Sequence, residues 1–475
     1  MSNEIYADHT QVFLLPPALD DWVPQDHLVR FLRDFVRELD LVALGFRVRQ
    51  GDVGRPSYSS ELLLSAWLYG YMERIRSSRK LEHACRTQLP LVWLVGMNYP
   101  DHNSLWRFFR DHRDAIGAVF RQSVLVAKRM NLLGMVVHAL DGTKIAAQTS
   151  SRTALHRSSL EEVDAAIAEV ITAMESSLEA ESGDTTPSAV LPDELFEAKQ
   201  RRQAIQAALG TLRERGQEHT LPTEPDARMM KLNTGRTGWA YNAQAVVDAA
   251  NGVVVAQEVT NEASDYRHLS PMLNQVKELI QGTSQYTVAD AGYRNATQEI
   301  SAQEQGHNVV LPEHGRDAKN DNPYHKTCFA YDPQTDTYTC PQGKLLLYDH
   351  TLPPEGNRLP ARVYRCRECK DCPVRDQCTR SRQGRTIRRD ENDDFREERR
   401  LMRTRTEIQA LIQKRKAIIE PLFGHIKENM GFRRWTARGL SNARAQWSMH
   451  CLSVNLKKIF HAWKWTKAPI PCNVN

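Results

Sequence analysis

The stretch Gly134-Met135-Val136-Val137-His138-Ala139-Leu140-Asp141-Gly142-Thr143-Lys144 decides the fold. Its apolar run ends in a carboxylate, which predicts a buried strand with Asp141 at its carboxyl end. Residues 286–289 repeat the pattern, because a second short apolar run is followed directly by Asp290. Strands of this kind, separated by helical segments, predict an α/β protein with a mixed sheet flanked by helices.

Further elements are predicted between and after these two strands. Residues 238–248 and 253–259 are apolar runs joined by a turn that contains Asn251-Gly252, and Asn-Gly between two such runs is a strong hairpin signal. A helix is expected near residues 267–280. Asn295 can cap another helix, with Gln298 at capping-box spacing, and residues 308–312 predict one more strand.

A third acid, Glu420, lies in a helical pattern near the carboxyl end of the chain. Lys416 precedes it by four residues and Lys427 follows it by seven, so the three share one helix face. Two carboxylates at neighbouring strand ends and one on a helix beside them can hold two divalent ions about 4 Å apart, as phosphodiester chemistry requires. Asp248 and Asp265 are rival acids, which the predicted strand order leaves on the hairpin and on the loop after it.

Residues 1–130 read as an all-α domain. Ser59 or Ser60 can cap one of its helices, and Arg76, Arg79 and Lys80 lie in a basic turn that opens another. Short helices joined by serine-containing and basic turns predict a helix-turn-helix-like DNA-binding unit. A helical bundle without DNA contact is the alternative.

Charge is distributed unevenly along the chain, although the net charge is only +5. Residues 401–475 contain 14 Lys and Arg against 3 Asp and Glu. A basic block beside a phosphodiester site indicates a polyanionic partner, with a solvated basic face as the alternative. Residues 151–226 contain 7 basic against 15 acidic side chains, and their helical spacing, broken at 182–187, predicts an inserted helical hairpin.

Six of the nine cysteines lie between residues 328 and 378. The amino end lacks the pattern of a secretion signal, and in such a chain clustered cysteines bind metal more often than they form disulfides. The best four-thiolate set for a closed, structural zinc site combines Cys340, either Cys366 or Cys369, Cys372 and Cys378. Reduced cysteines and an iron–sulfur cluster are the alternatives.

No apolar run approaches the roughly 20 residues that span a bilayer. We therefore expect a cytoplasmic protein without membrane contact.

Taken together, these motifs resemble bacterial insertion-sequence DDE transposases, and among them most of all the insertion-sequence 1182 family. The resemblance extends over nearly the whole chain. The residues that carry it are 11–17, 23–29, 69–71, 76–82, 100–102, 140–145, 241–244, 290–293 and 420–424.

The resemblance implies a ribonuclease-H-like catalytic core in which Asp141, Asp290 and Glu420 bind two Mg²⁺ or Mn²⁺ ions. Combined with the patterns above, it divides the chain into four parts. These are a helical DNA-binding domain (1–130), a catalytic core (131–150, 227–312 and 396–465), an acidic helical insertion (151–226) and a Cys-rich insertion (313–395).

The implied activity is that of a transposase that binds the terminal inverted repeats of its own element as double-stranded DNA. It would cut at the ends and join the 3′ hydroxyls to target DNA as a synaptic homodimer. A metal-dependent nuclease of the same fold and a non-catalytic DNA-binding protein derived from a transposase are the alternatives. The side chains expected to contact DNA are Arg76, Arg79, Lys80, Lys416, Lys427, Arg433, Arg434 and Arg438.

The Tyr, Arg, Glu, Lys signature of the resembled superfamily maps only partly onto this chain. Glu420 and Lys427 match in spacing, whereas Gln413 stands in the Tyr position and Lys416 in the Arg position. Arg415 is a candidate for the role that this departure from the signature leaves open, although helical spacing places it partly off the helix face that carries Glu420.

Overall fold

The computed structural model describes residues 18–47, 57–149, 154–181, 193–313 and 322–466, apart from residues 215, 217, 222, 233, 234 and 357. Residues 11–17 of the resemblance and the break at 182–187 lie outside the described residues. Over the described part the protein is a mixed α/β structure. Its helices in chain order are α1 (Leu28–Arg37), α2 (Ser60–Met72), α3 (Ser78–Thr87), α4 (Leu89–Leu94), α5 (His102–Asp111), α6 (Arg113–Arg129), α7 (Arg157–Glu181), α8 (Asp193–Glu214), α9 (Leu269–Ile280), α10 (Ala296–Glu304), α11 (Arg375–Cys378), α12 (Asp393–Arg403), α13 (Thr406–Gly424) and α14 (Leu440–Thr466).

The described strands form one large sheet, one smaller sheet and one short pair. They are β1 (Val137–Ala146), β2 (Leu155–His156), β3 (His219–Thr220), β4 (Arg228–Lys231), β5 (Thr237–Asp248), β6 (Val253–Thr260), β7 (Tyr286–Ala289), β8 (Val309–Val310), β9 (Ala330–Asp332), β10 (Thr337–Thr339), β11 (Leu345–Leu352), β12 (Ala361–Arg365) and β13 (Thr386–Arg389). None of the described helices combines the length and the apolar character needed to cross a membrane.

The large sheet has the order β4-β5-β1-β7-β8. Strand β6 also pairs with β5, so that β5 is paired with β1, β4 and β6. Strand β5 is antiparallel to β1, β4 and β6, whereas β1, β7 and β8 run parallel to one another. The hairpin predicted around Asn251-Gly252 is confirmed as β5 and β6. The helix predicted near 267–280 is α9, and the strand predicted at 308–312 is the shorter β8.

Strand β1 is longer than predicted. It does not end at Asp141 but continues to Ala146, because β5 pairs with it from His138 to Ala146. Its parallel pairing with β7 covers only residues 137–140. Asp141 therefore lies inside β1, at the point where the parallel pairing stops.

The cap predicted at Asn295 is confirmed, but the reciprocal capping box is not formed. Asn295 Oδ1 accepts a hydrogen bond from the backbone N–H of Thr297 at 3.1 Å. The Gln298 side chain instead accepts from the backbone N–H of Ser270, at 3.2 Å. Gln298 thus connects α10 to α9 rather than closing the first turn of its own helix.

Helices α1 to α6 confirm the all-α prediction for the described residues of the amino-terminal part. Ser59 is the cap of α2, since its hydroxyl accepts from the backbone N–H of Leu62 at 3.2 Å. The last helix, α14, packs against α2, α6 and β6. Asn455 on α14 donates to Ser123 on α6 and to the carbonyl of Val254 on β6. The amino-terminal helices and the large sheet consequently share one hydrophobic core.

Two segments stand apart from this core. Helices α7 and α8 pack against each other over a small cluster of Leu160, Leu209 and Leu212, which confirms the predicted helical hairpin. The Cys-rich segment forms a five-stranded antiparallel sheet in the order β13-β12-β11-β10-β9. It has its own core of seven buried residues, Phe329, Tyr338, Leu346, Tyr364, Cys366, Cys369 and Ile387.

Candidate active site

Two of the three predicted acids, Asp141 and Asp290, lie side by side at the point where the parallel pairing of β1 and β7 ends. Leu140 on β1 is in parallel register with Ala289 on β7. Asp141 is the next residue within β1, and Asp290 is the first residue after β7. Neighbouring strands lie about 4.8 Å apart, so both carboxylates emerge at the same point of the sheet. The Asp141 side chain is 20% exposed and that of Asp290 is 53% exposed. The pair is therefore open on the Asp290 side.

Arg415 on α13 lies against both carboxylates. Its Nη1 is 2.7 Å from Asp141 Oδ2, and its Nη2 is 3.9 Å from Asp290 Oδ1. Burial raises the pKa of the Asp141 carboxyl, and the Arg415 guanidinium partly offsets that rise. A cationic group thus already occupies the space beside the two acids. The observation supports a cation-binding role for the pair, because carboxylate oxygens are the ligands that hard divalent cations prefer.

Arg415 points off the helix face of Glu420, as helical spacing predicts, since Arg415 is buried whereas Glu420 is exposed. Arg415 is the residue of α13 that reaches the acids, and its side chain is only 11% exposed. A signal was present in the sequence, since Arg415 falls on the same helix face as the buried residues Ile408, Ile419 and Leu422. A charged residue on an otherwise apolar face indicates a buried partner.

Glu420 lies on α13, between two residues of the chain whose side chains contact β1. Arg415 makes the first contact, and Lys427, whose Nζ donates to Thr143 Oγ1, makes the second. Glu420 itself is exposed, and no hydrogen bond or ion pair joins it to another described residue. The structure thus brings Asp141 and Asp290 together and leaves Glu420 on the flanking helix without contact to a partner.

The helix changes its geometry shortly after Glu420. Residues His425–Asn429 form a π-helical turn that follows α13 directly, and Lys427 lies in it. Such turns insert an extra residue per turn and are frequent at functional sites. Burial lowers the pKa of the Lys427 ammonium group. Across the described residues, no three His, Cys, Asp or Glu side chains form a group that could hold a metal ion as placed.

Asp265 lies on the loop after the β5–β6 hairpin, as predicted, but its side chain reaches residues that closely follow the two acids, Gly142 and Gly292. Asp265 accepts from Lys144 Nζ at 3.0 Å, from Asn242 Nδ2 at 2.6 Å and from Gln244 Nε2 at 2.7 Å. The Tyr293 hydroxyl donates to the other amide atom of Gln244. This network ties β1, β5 and the turn after Asp290 together, so Asp265 supports the site from within the fold.

The other rival acid, Asp248, belongs to the opposite end of β1. Its carboxylate accepts from the backbone N–H groups of Gly134 and Met135 at 3.0 and 2.9 Å. Burial raises the pKa of Asp248, but the His138 side chain and these backbone hydrogen bonds together hold it below its usual value. Asp248 therefore fixes the entry into β1 and takes no part in the acid pair.

Some of the side chains predicted to contact DNA bind other groups of the protein in the structure. Arg434 donates to the carbonyls of Ala147 and Thr149 at 2.9 and 3.1 Å, and so fastens the segment before α14 to the end of β1. Arg433 pairs with the exposed Glu428. The exposed members of the set are Arg79, Lys80, Lys416, Arg433, Arg434 and Arg438.

Arg76 connects the amino-terminal helices to the segment after α13. Its guanidinium donates to the backbone carbonyls of Met430 and Gly431, at 2.6 and 3.2 Å, and lies 5.5 Å from the ring centre of Phe432. These contacts join residues more than 350 positions apart in the chain.

Arg76→Ala is expected to lower the free energy of unfolding by about 2 kcal/mol, because it removes the donor from the partly buried Met430 carbonyl. Urea denaturation of the full-length protein measures the change. Arg79→Ala removes an exposed arginine from the next helix and is the matched control, with a shift of no more than about 0.5 kcal/mol. Equal stability of the two variants would contradict a connecting role for Arg76.

Two family models match the chain. The model described as "Transposase DDE domain" matches residues 339–460, and the model described as "Transposase domain (DUF772)" matches residues 17–111. The first match includes Glu420 and Lys427, and the second covers the amino-terminal helices up to α5. The chain matches no curated protein.

The two matches support a DDE transposase as the class of protein to which this chain is similar. The DDE match implies a DNA-cutting enzyme that uses divalent metal ions, with DNA as its partner.

Proposed function

We propose that the protein is the transposase of an insertion sequence. It binds the terminal inverted repeats of its element, cuts the DNA at their ends and joins the 3′ hydroxyls to target DNA. The observation that carries the proposal is the placement of Asp141 and Asp290 directly after the last parallel pair of β1 and β7. Membership of the insertion-sequence 1182 family, a cytoplasmic location and a synaptic homodimer are parts of the same proposal.

The catalytic core is proposed to be ribonuclease-H-like. The strand order β6-β5-β1-β7-β8 supports this, with β5 antiparallel to its neighbours and β1, β7 and β8 parallel. Helix α9 connects β6 to β7, and α10 connects β7 to β8. In this core the helical hairpin (151–226) and the Cys-rich segment (313–395) are insertions, and residues 1–130 recognise the repeat ends.

Asp141, Asp290 and Glu420 would hold two Mg²⁺ or Mn²⁺ ions. Two such ions supply an activated attacking oxygen and charge stabilisation for the leaving oxygen. In the structure, Arg415 compensates the charge of the two carboxylates, as its 2.7 Å contact with Asp141 and 3.9 Å contact with Asp290 indicate. Arg415 would be the side chain beside these acids that can also bind a DNA phosphate, because bidentate binding of an oxyanion suits the guanidinium geometry.

The basic side chains predicted to contact DNA would bind the phosphates that flank the cut. Lys416 shares a helix face with Glu420, and Lys427 lies beside Thr143 on β1. Arg433 and Arg438 are exposed on the segment between α13 and α14. Arg79 and Lys80 would contact the repeat end, whereas Arg76 and Arg434, which donate to backbone carbonyls, would shape the surface around these contacts.

The test is a strand-transfer assay with the full-length protein, Mg²⁺, linear DNA that carries the element's ends and a circular target. The ends are taken from the inverted repeats in the DNA that flanks the reading frame. Covalent joining of the 3′ ends to the target is the expected result. Hydrolysis of the ends without joining would contradict the proposal and identify the protein as a nuclease. Binding of the ends without cleavage would identify it as a non-catalytic DNA-binding protein.

A further inference from the structure

Five cysteines of the Cys-rich segment surround one small cavity. Cys340, Cys366, Cys369, Cys372 and Cys378 all line it, together with Tyr324 and Phe329, and its volume is about 20 Å³. A volume of this size admits roughly one water-sized body. All five cysteines are free thiols. The sixth cysteine of the window, Cys328, is exposed and does not line the cavity.

The turn between β10 and β11 presents one of these sulfurs to the cavity. The backbone N–H of Cys340 donates to the carbonyl of Lys344 at 2.8 Å, and Gly343 takes a φ of 75°, which favours glycine. The backbone N–H of Lys344 then donates to Cys340 Sγ at 3.3 Å. A backbone N–H directed at sulfur stabilises negative charge on that sulfur.

The connection from β12 to β13 presents a second sulfur in the same way. The backbone N–H of Arg385 donates to Cys369 Sγ at 3.5 Å. Gly384, with a φ of 97°, brings this backbone so close that a Cβ there would lie 2.2 Å from the Cys366 carbonyl oxygen and 3.5 Å from Cys369 Sγ. Two separate turns thus direct N–H groups at two sulfurs of one cavity, as expected for ligands that carry charge.

We propose that one structural Zn²⁺ ion is bound by Cys340, Cys372, Cys378 and one thiolate of the Cys366–Cys369 pair. Cys366 and Cys369 both lie in the hydrophobic core of the segment and both line the cavity. Cys372 is half-buried at the cavity. As placed, the sulfurs are not a closed ligand set. A bound zinc ion would be held by four of these sulfurs, the ligand set of closed structural zinc sites.

The segment has a structural need for such an ion. Its core contains only seven buried residues, and large apolar side chains such as Leu345 and Leu347 remain exposed on β11. Small units with little buried surface commonly depend on a bound metal or on disulfides. The ion would tie the β10–β11 turn to the β12–β13 connection, and so fix the end of the five-stranded sheet.

The proposal is tested by the metal content of the full-length protein purified without an affinity tag that binds metal. About one zinc per chain is expected for wild type and far less for Cys378→Ser and Cys372→Ser, since a closed site needs all four thiolates. Cys328→Ser is the matched control and should keep its zinc. Asp141→Asn should also keep its zinc, which separates this site from the proposed catalytic ions.

A second measurement does not depend on the folding of variants. Replacement of zinc by Co²⁺ in the wild-type protein should produce the sulfur-to-metal charge-transfer absorption of tetrahedral thiolate ligation. Absence of zinc and of this absorption would overturn the proposal. So would iron with labile sulfide in the purified protein, or disulfides among these five cysteines in protein purified under reducing conditions.

Discussion

Asp141→Asn is expected to reduce strand transfer by at least about 1,000-fold, which corresponds to about 4 kcal/mol of transition-state stabilisation. The amide keeps the shape of the carboxylate but removes its charge, and therefore weakens both the proposed metal binding and the ion pair with Arg415. Asp290→Asn should have an effect of the same order, because Asp290 occupies the equivalent position on the neighbouring strand. Initial rates of joining at saturating Mg²⁺ measure both.

The control for this prediction is Asp248, a buried acid on β5, which pairs with the other end of β1. Asp248→Asn weakens hydrogen bonds to the backbone N–H groups of Gly134 and Met135 and should lower stability. Its rate of joining per folded molecule should remain close to wild type, since Asp248 lies at the other end of β1. A less than tenfold loss in Asp141→Asn, with DNA-end binding retained, would remove Asp141 from the proposed site.

Local patterns explain why much of the fold is predictable from the sequence. The β5–β6 hairpin follows from two apolar runs around Asn251-Gly252, and α10 follows from a capping asparagine. The position of Asp290 after β7 follows from a short apolar run that ends at the acid. Each of these signals depends on residues that are close in the chain, where backbone geometry and side-chain type are directly coupled.

The features that the sequence does not predict depend on contacts between distant residues. The length of β1 is set by β5, which pairs with it up to Ala146. Asp265 approaches the acids because Lys144, Asn242 and Gln244 hold it there. Arg76 meets the Met430 carbonyl across 354 positions of the chain. No periodicity within one element encodes these distances, so the set of residues around the predicted acids had to come from the structure.

Gly142, the residue after Asp141, packs against the network behind the acids. A Cβ at this position would lie 2.5 Å from Gln244 Nε2, 2.9 Å from Asn242 Oδ1 and 2.9 Å from Asp265 Oδ1. Asn242 and Gln244 are fully buried and hydrogen-bonded to Asp265. None of the three side chains can withdraw without breaking a hydrogen bond, so the close approach of β1 to this network requires glycine.

Gly142→Ala is therefore expected to lower the free energy of unfolding by about 3 kcal/mol, the upper range for overpacking of a filled interior. Gly292, two residues after Asp290, is the matched control, because a Cβ there would meet only Asp265 Oδ2 at 3.8 Å, an ordinary contact. Gly292→Ala should change stability by no more than about 0.5 kcal/mol. Urea denaturation of both variants measures the difference. If the two were equally stable, glycine after Asp141 would not be a packing requirement, and the spacing of the two acids would have to be maintained by contacts other than the Asp265 network.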